Sequence, residues 1–300
     1  MNPDAATPGR PWWQPGPLDW SRLEMLLMRT AFALLIFSTI RWETGAWTTQ
    51  KFPNGIAAAF DLTWIARSPP GLGWQAFTVA GLVAYVAGRM PVLGLIPALF
   101  FSLVIGTLGN SQGAINHSTQ MVTMMLLAQW LVYLIPRGPE APPSMSHWLK
   151  PDFNVQQQVI WWSTLVIAAS YVVCGVVKLV NSNGLWLYET PYLAVQLLKT
   201  NWCHYHDTLE MPPGWLQSLI QAMTDHPNLA RLFFGMGLLI ELGGFVILIS
   251  RRWALVGGLA IIALHLSISQ VMNLNFLTHI YAVLIFAVNV PGWLLPRRRP

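Results

Sequence analysis

Several ionisable side chains stand inside long apolar stretches of this sequence, and their types are those that exchange protons or form buried ion pairs. They are Arg29, Lys178, Glu241 and His265, with His117 at the start of a further apolar stretch. A charge at the centre of a membrane helix costs at least about 2.5–3.5 kcal/mol, so each of these residues requires a partner or a function. A lysine or histidine could act as a general base, and an arginine could pair with a glutamate.

Lys178 is the main candidate for a chemical role because of the residues on its helical face. Tyr171, Cys174 and Gly175 precede it by seven, four and three positions, which places them on one side of a helix. Two interpretations are open from the sequence. The lysine either extends its ammonium into the lipid headgroups, or it is desolvated and acts as a base.

The two histidines also have polar neighbours at helical spacing. His117 follows Asn116, and His265 is followed by Ser269 one turn later. Both histidines and Lys178 are expected near one side of the membrane, so we predict a shared pocket in which all three are catalytic. The side chains expected to bind a substrate there are Asn116, Gln120, Tyr171, Ser269 and Asn273.

Arg29 and Glu241 are expected to form a structural ion pair between the first and the sixth membrane helices, because intramembrane charges usually pair with one another. A proton relay through Glu241 is the alternative interpretation. Glu241 also lies between Gly237 and Gly244, and small residues at that spacing let a second helix approach closely.

The segment Cys203-His204-Tyr205-His206-Asp207 contains side chains of the kinds that bind zinc or copper. Their spacing matches no standard metal site, and the two cysteines of the chain form no CxxC motif. We therefore predict no metal, and we interpret the segment as a loop that lies at the membrane interface.

The elements that carry these residues are predicted to be membrane helices. The 300 residues are 54% hydrophobic and only 10% charged, whereas soluble domains carry about 25% charged residues. The net charge of +5 comes from residues in short loops, which argues against a nucleic-acid partner. Apolar stretches of roughly 20 residues predict an all-α polytopic bundle with about eight transmembrane helices, near 22–40, 74–89, 91–109, 117–135, 158–180, 229–249, 253–272 and 275–292.

The distribution of Lys and Arg predicts the orientation in the lipid bilayer. Short junctions on one side carry most of these residues, so both termini are placed in the cytoplasm, with the protein in a bacterial inner membrane. An amphipathic stretch from Tyr192 to Leu198 is expected to lie along the outer interface. The expected organisation is a Pro-rich cytoplasmic tail, a membrane domain with two outer loops, and a basic cytoplasmic tail: 1–20, then 21–292 with loops 41–73 and 181–228, then 293–300.

The order of these residues resembles the HTTM domain, which is the membrane domain shared by vitamin K-dependent γ-glutamyl carboxylase and its bacterial relatives. The likeness covers roughly residues 20–290. It rests on four features in order along the chain: Asn116-His117-Ser118 at the start of a helix, Gly175-Val176-Val177-Lys178-Leu179 followed by Trp186, Glu241 before an arginine pair, and His265 in the next span.

The resemblance implies a chemistry for Lys178. In the carboxylase, the matching lysine is taken as the base that deprotonates vitamin K hydroquinone; oxygen then generates a strong base that removes a glutamate γ-proton, and CO2 adds. By the same resemblance His117 and His265 line the site, and a quinone or hydroquinone is the cofactor. Ile115 and Val177 depart from the family motifs, and no large C-terminal region follows the last span, so carboxylation of protein glutamate is not expected of this chain alone.

Three functions stay open from the sequence. The first is a membrane enzyme that acts on a quinone or another lipid-soluble redox substrate, with Lys178 as the base. The second is a maturation or accessory factor for an exported peptide held by the 181–228 loop. The third is a non-catalytic subunit of a larger membrane complex, in which the polar residues hold helices together. A transporter is disfavoured, because neither an internal repeat nor paired broken helices are evident.

Overall fold

The computed structural model describes residues 20–43, 53–66, 70–112, 119–135 and 149–295. Helices make up most of these ranges and no strand occurs in them, so the predicted all-helical fold is confirmed. In chain order the helices are α1 Arg22–Glu43, α2 Ile56–Ala59, α3 Pro70–Val86, α4 Pro91–Asn110, α5 Gln120–Leu134, α6 Phe153–Asn181, α7 Trp186–Glu189, α8 Pro191–Thr208, α9 Gly214–Asp225, α10 Pro227–Leu242, α11 Arg251–Met272, α12 Leu277–Val283 and α13 Val290–Leu294.

The lengths and apolar composition of these helices mark the chain as an integral membrane protein. Gly71–Val86 and Gln120–Leu134 are apolar but fall short of the roughly 20 residues that a crossing needs. Within the described ranges, six helical stretches are long and apolar enough to cross a membrane: Arg22–Ile40, Pro91–Asn110, Phe153–Asn181, Pro227–Leu248, Arg251–Met272 and Leu277–Leu294.

Two of these long stretches, Pro227–Leu248 and Leu277–Leu294, do not keep α-helical winding throughout. A 3₁₀ segment, Gly243–Leu248, continues α10, and a π-helical segment, Leu284–Val288, follows α12. Asn289 then takes a left-handed conformation with φ 50°, and its side chain accepts a hydrogen bond from the Gly292 amide at the start of α13. These changes of winding alter which side chains face the neighbouring helices.

Contacts at the helix ends define two opposite faces of the bundle. At the first, Gln157 donates to the Trp20 carbonyl, and the Met90 amide donates to the Leu149 carbonyl. We call this end, which holds the first and last described residues, the termini face. The other end, the cap face, is where α8 and α9 cover the end of α11.

The predicted outer loop 181–228 is largely helical in the structure. The amphipathic stretch from Tyr192 to Leu198 belongs to α8, a helix of 18 residues. Each cap helix has an apolar face to bury, which is why the segment folds into a layer. The buried side chains between α8, α9 and the membrane helices are Ala194, Leu197, Leu216, Ile220, Met223, Ala230 and Val271.

Glycines set the closest helix crossings. A Cβ at Gly81 of α3 would overlap the Gly94 carbonyl oxygen of α4, so this crossing has room only for glycine. A Cβ at Gly175 would lie 2.8 Å from the Leu242 side chain, and one at Gly244 would lie 2.8 Å from Tyr171 Cβ. Small residues therefore bring α6 close to α10 and its 3₁₀ continuation.

Candidate functional site

Lys178 and Glu241 form an ion pair that joins α6 to α10. The Lys178 ammonium donates to both carboxylate oxygens of Glu241, at 2.6 Å each. Glu241 is buried, whereas the Lys178 side chain keeps 36% of its surface exposed. The Trp186 ring lies 5.4 Å from the ammonium, within range of a cation–π contact. A carboxylate and an aromatic ring therefore hold the lysine in place.

The glycine contacts explain why these two charges meet. Gly175 stands one turn before Lys178, and the side chain that it admits is Leu242, the neighbour of Glu241. Gly244, one turn after Glu241, admits the side chain of Tyr171, which stands one turn before Gly175. Because the two backbones approach closely at both glycines, the lysine and glutamate side chains are within reach of each other.

Tyr171 and His265 form a second polar contact on α6. The Tyr171 hydroxyl and His265 Nε2 share a hydrogen bond of 2.5 Å, and both side chains are buried. Phe276 and His279 lie against the imidazole, with ring centroids 4.9 Å and 5.4 Å from that of His265. His265 Nδ1 is buried and has no hydrogen-bond partner among the described residues.

The Tyr171 contact determines which nitrogen of His265 can serve a substrate. A neutral imidazole carries one N–H group, so when Nε2 accepts from the Tyr171 hydroxyl, Nδ1 is the donor. A buried donor without a partner is unfavourable by about 1–3 kcal/mol, and an oxygen atom of a bound molecule would satisfy it. In that tautomer, the arrangement offers a hydrogen-bond donor in a fixed orientation.

The two polar pairs lie along one face of α6 but at different depths. Tyr171 and Lys178 are seven residues apart, which corresponds to about 10 Å along the helix axis. Cys174, an exposed free thiol, stands between them. The sequence predicts one shared depth for Lys178 and His265, but the structure places His265 beside Tyr171, about two turns from the lysine.

The structure corrects the predicted pairing of Arg29 with Glu241, because both carboxylate oxygens of Glu241 bind Lys178. Arg29 lies two turns into α1, towards the termini face, where its guanidinium contacts Gly88 in the turn after α3. Its Nε and Nη1 are buried without a hydrogen-bond partner in the described ranges. The guanidinium also interacts electrostatically with the side chains of Tyr85 and Tyr133.

Sequence reasoning missed an ion pair on the termini face. Arg251 at the start of α11 binds Glu24 of α1, and the Asn289 side chain donates to the same carboxylate at 3.3 Å. Ser21 and Glu24 also form a capping box, in which each side chain accepts from the backbone amide of the other. The Ser-x-x-Glu spacing before an apolar run could have revealed the cap, but not the arginine.

The other residues predicted for the pocket are placed only in part. His117 and Asn116 lie outside the described residues, so their roles stay predictions. Gln120 is exposed and is the first residue of α5, and Ser269 lies one turn beyond His265 on α11.

Asn273, also predicted to bind substrate, connects the cap to a membrane helix. It follows α11 in a left-handed conformation with φ 53°, and its amide donates to the Asn201 side chain at 3.2 Å. Asn201 is buried and donates in turn to the Val271 carbonyl at 3.1 Å. The two asparagines therefore fix α8 on the end of α11.

The candidate metal ligands Cys203, His204 and His206 lie along α8 and not in a loop. His204 Nε2 is 4.0 Å from a carboxylate oxygen of Glu210, and the His206 ring lies beside that of Trp202. In the part of the chain that the structure describes, no three His, Cys, Asp or Glu residues converge as a metal site would require.

His279 belongs to the site although the sequence analysis did not single it out. It is the third residue of α12, and its ring centroid lies 5.4 Å from that of His265. The available signal was its position just after the break at Asn275. A histidine at that position lies in the first turn of a helix that starts close to the end of α11.

Comparisons with family models, with curated proteins and with solved structures found no match to this chain.

Proposed function

We propose that the protein is a membrane enzyme that binds a lipid-soluble redox substrate of the hydroquinone class beside α6 and takes a proton from it. The observation that carries the proposal is the line of proton-exchanging side chains on one face of α6. Tyr171 binds His265, and two turns further on Lys178 binds Glu241. Ionisable groups in an apolar bundle are costly, and a proton-transfer site is one of the functions that retains them.

The Lys178–Glu241 pair can accept a proton without leaving a lone buried anion. The pair carries no net charge either as ammonium with carboxylate or as amine with carboxylic acid, and the second form is the one that acts as the base. Transfer from a substrate hydroxyl breaks that O–H bond and forms an N–H bond on the Lys178 amine, while Glu241 holds the other proton. The pair then carries one positive charge, which faces the newly formed substrate anion. Lys178 is thus the base and Glu241 its partner.

His265 would orient the substrate. A hydroquinone carries oxygen atoms at the two ends of a flat ring, so one hydroxyl can face Lys178 while the other accepts from His265 Nδ1. Phe276 and His279 pack beside the imidazole, and aromatic rings of this kind suit a flat aromatic substrate. The resemblance of the Lys178 and His265 segments to the HTTM domain supports the same substrate class and the same roles.

The proposal includes an orientation and eight crossings. α3 and α5 are short, but both are apolar and each packs against the long membrane helix α4, so we count both as crossings in the proposal. We place the termini face in the cytoplasm of a bacterium, because basic residues favour that side. In the described ranges it holds Arg22, Arg29, Arg89, Lys150, Arg251 and Arg252, against Arg41, Lys178, Lys199 and Arg231 nearer the cap face.

A non-catalytic subunit of a membrane complex is the second candidate. The observation that favours it is the mutual satisfaction of Lys178 and Glu241, since a pair of this kind also holds two helices together. Under this alternative the cluster would bind no small molecule, and the protein would purify with a partner subunit.

Mass spectrometry of the lipids that co-purify with the protein in mild detergent separates the two candidates. The proposal expects a bound quinone or hydroquinone in the wild type, and its loss in His265→Phe, which removes the Nδ1 donor. Arg231→Gln, a change at a half-buried residue near the cap face that binds Asn228, is the matched control and should retain the ligand. A quinone-free wild type that carries a stoichiometric second subunit would instead support the structural role.

A further inference from the structure

A cavity of about 520 Å³ opens on the termini face, far from the candidate site on α6. It lies between the start of α11 and the end of the last membrane helix. Its volume falls within the range of small-ligand sites, roughly 300–1,000 Å³. The residues that line it are Ser250, Arg251, Arg252, Gly292, Trp293 and Leu295.

Arg251 is held rigidly at the wall of this cavity. Its guanidinium binds Glu24 and lies 5.6 Å from the centre of the Trp293 ring. Gly292 makes this placement possible, because a Cβ at that position would overlap the guanidinium. Arg251 Nε remains buried without a hydrogen-bond partner among the described residues. The group is therefore fixed in place with hydrogen-bonding capacity to spare.

Arg252 adds a charge that no carboxylate of the described residues neutralises at salt-bridge distance. Since Glu24 offsets Arg251, the wall of the cavity carries about one net positive charge. The first backbone amides of α11, a helix of 22 residues, add the positive end of its dipole. Planar guanidinium groups next to helix amides suit the oxygens of a phosphate group.

We propose that this cavity binds a phosphate anion, carried by an anionic phospholipid headgroup or free in solution. The position at the end of two membrane helices places the cavity at headgroup depth, and Trp293 presents the kind of amphipathic ring that favours that layer. Basic pockets between membrane helices bind anionic headgroups in this way. The inference does not depend on the proposed chemistry at Lys178.

The test uses the full chain in a neutral detergent, with thermal melting and native mass spectrometry as the two measurements. Phosphatidylglycerol is expected to raise the melting midpoint saturably and to remain bound as one retained lipid, whereas phosphatidylcholine does neither. Inorganic phosphate alone is titrated in parallel. If it gives the same saturable rise, the site takes free phosphate; if only the lipid does, the ligand is the headgroup.

Two matched variants decide whether the cavity is responsible. Arg252→Gln should weaken binding of the phosphate-bearing probe about fivefold, since one basic residue near an anionic surface contributes about 1 kcal/mol. Arg89→Gln removes an exposed charge from the same face outside the cavity and should leave the affinity unchanged. Equal losses in both variants would indicate diffuse surface charge, and no loss in Arg252→Gln would also overturn the proposal.

Discussion

Glu241 and Glu24 each bind a basic residue that lies far away in the sequence, Lys178 at a separation of 63 residues and Arg251 at 227. The sequence identifies Lys178 and Glu241 as residues that require a partner or a function, because their charges stand in apolar runs. It does not identify the partners, since that depends on how far each helix has turned at the crossing. Depth alone favours Arg29 as the partner of Glu241, but the structure places Arg29 towards the termini face.

Removing one partner of the Lys178–Glu241 pair should destabilise the protein. An uncompensated buried charge typically costs about 3–5 kcal/mol, and we expect the lower end here because Lys178 is partly exposed. Glu241→Gln and Lys178→Met should each lower the melting temperature in detergent. The double variant should lose much less in melting temperature than the sum of the two single losses. Strict additivity would contradict the pair.

Arg29 supplies the control for this cycle. Because its guanidinium contacts Gly88 and not Glu241, the losses from Arg29→Gln and Glu241→Gln should add. A strong coupling between these two changes, measured in the same melting experiment, would restore the pairing that the sequence predicts.

The Tyr171 hydroxyl should matter more for ligand binding than for stability. Tyr171→Phe keeps the packed ring but removes the hydrogen bond that orients His265, a contact worth about 0.5–1.5 kcal/mol. We expect up to about a tenfold loss of affinity for a quinone analogue with a small change in melting temperature. Tyr188→Phe, at an exposed position, should change neither. An unchanged affinity in Tyr171→Phe would remove His265 from the binding site.

At the scale of elements, the sequence predicts the membrane helices well and their contacts poorly. Long apolar runs locate α4, α6 and α11, because a helix satisfies its backbone hydrogen bonds within its own segment of a bilayer-spanning chain. The 3₁₀ continuation of α10 and the left-handed turn at Asn289 leave no clear signature in the apolar pattern. Those local changes set the side-chain register and hence which charges meet.

Gly244 should be intolerant of even one added methyl group. A Cβ there would lie 2.8 Å from Tyr171 Cβ and 3.3 Å from the Ala168 carbonyl oxygen, so Gly244→Ala forces α6 away. We expect a loss of about 1–3 kcal/mol in stability from overpacking, and weaker ligand binding because Tyr171 moves. Gly243→Ala in the same segment is the control, since its Cβ would meet no atom within 4 Å. Equal melting temperatures for the two variants would contradict the close crossing.

For the whole molecule, the charge bias and the two faces combine into a testable topology. The cap helices α8 and α9 were predicted only as a loop with one amphipathic stretch, because their apolar faces are short and interrupted by polar residues. Their burial against α11 depends on contacts between residues that are distant in the sequence, such as the one between Asn201 and Asn273, and the sequence pattern does not reveal these contacts. In the proposed orientation, which rests on the distribution of basic residues, the cap helices lie on the outer side of the membrane.

Cysteine labelling in intact cells tests that topology. In a Cys174→Ser/Cys203→Ser background, Lys199→Cys on α8 should react with a membrane-impermeant maleimide, and Arg89→Cys on the termini face should react only after the cells are opened. Both native side chains are exposed, so accessibility within the protein does not separate them. The reverse pattern would invert the orientation.

The most direct test of the account is the ionisation of a bound chromogenic phenol. A lipid-soluble nitrophenol shows a visible band as the phenolate, so its spectrum reports whether the protein has taken the hydroxyl proton. We expect wild-type protein to convert bound probe to phenolate in a medium where free probe stays neutral, and the Lys178→Met/Glu241→Gln variant, which leaves no unpaired charge, to bind the neutral form. Wild-type protein that binds the probe without ionising it, or a double variant that ionises it equally, would contradict the role of Lys178 as a base.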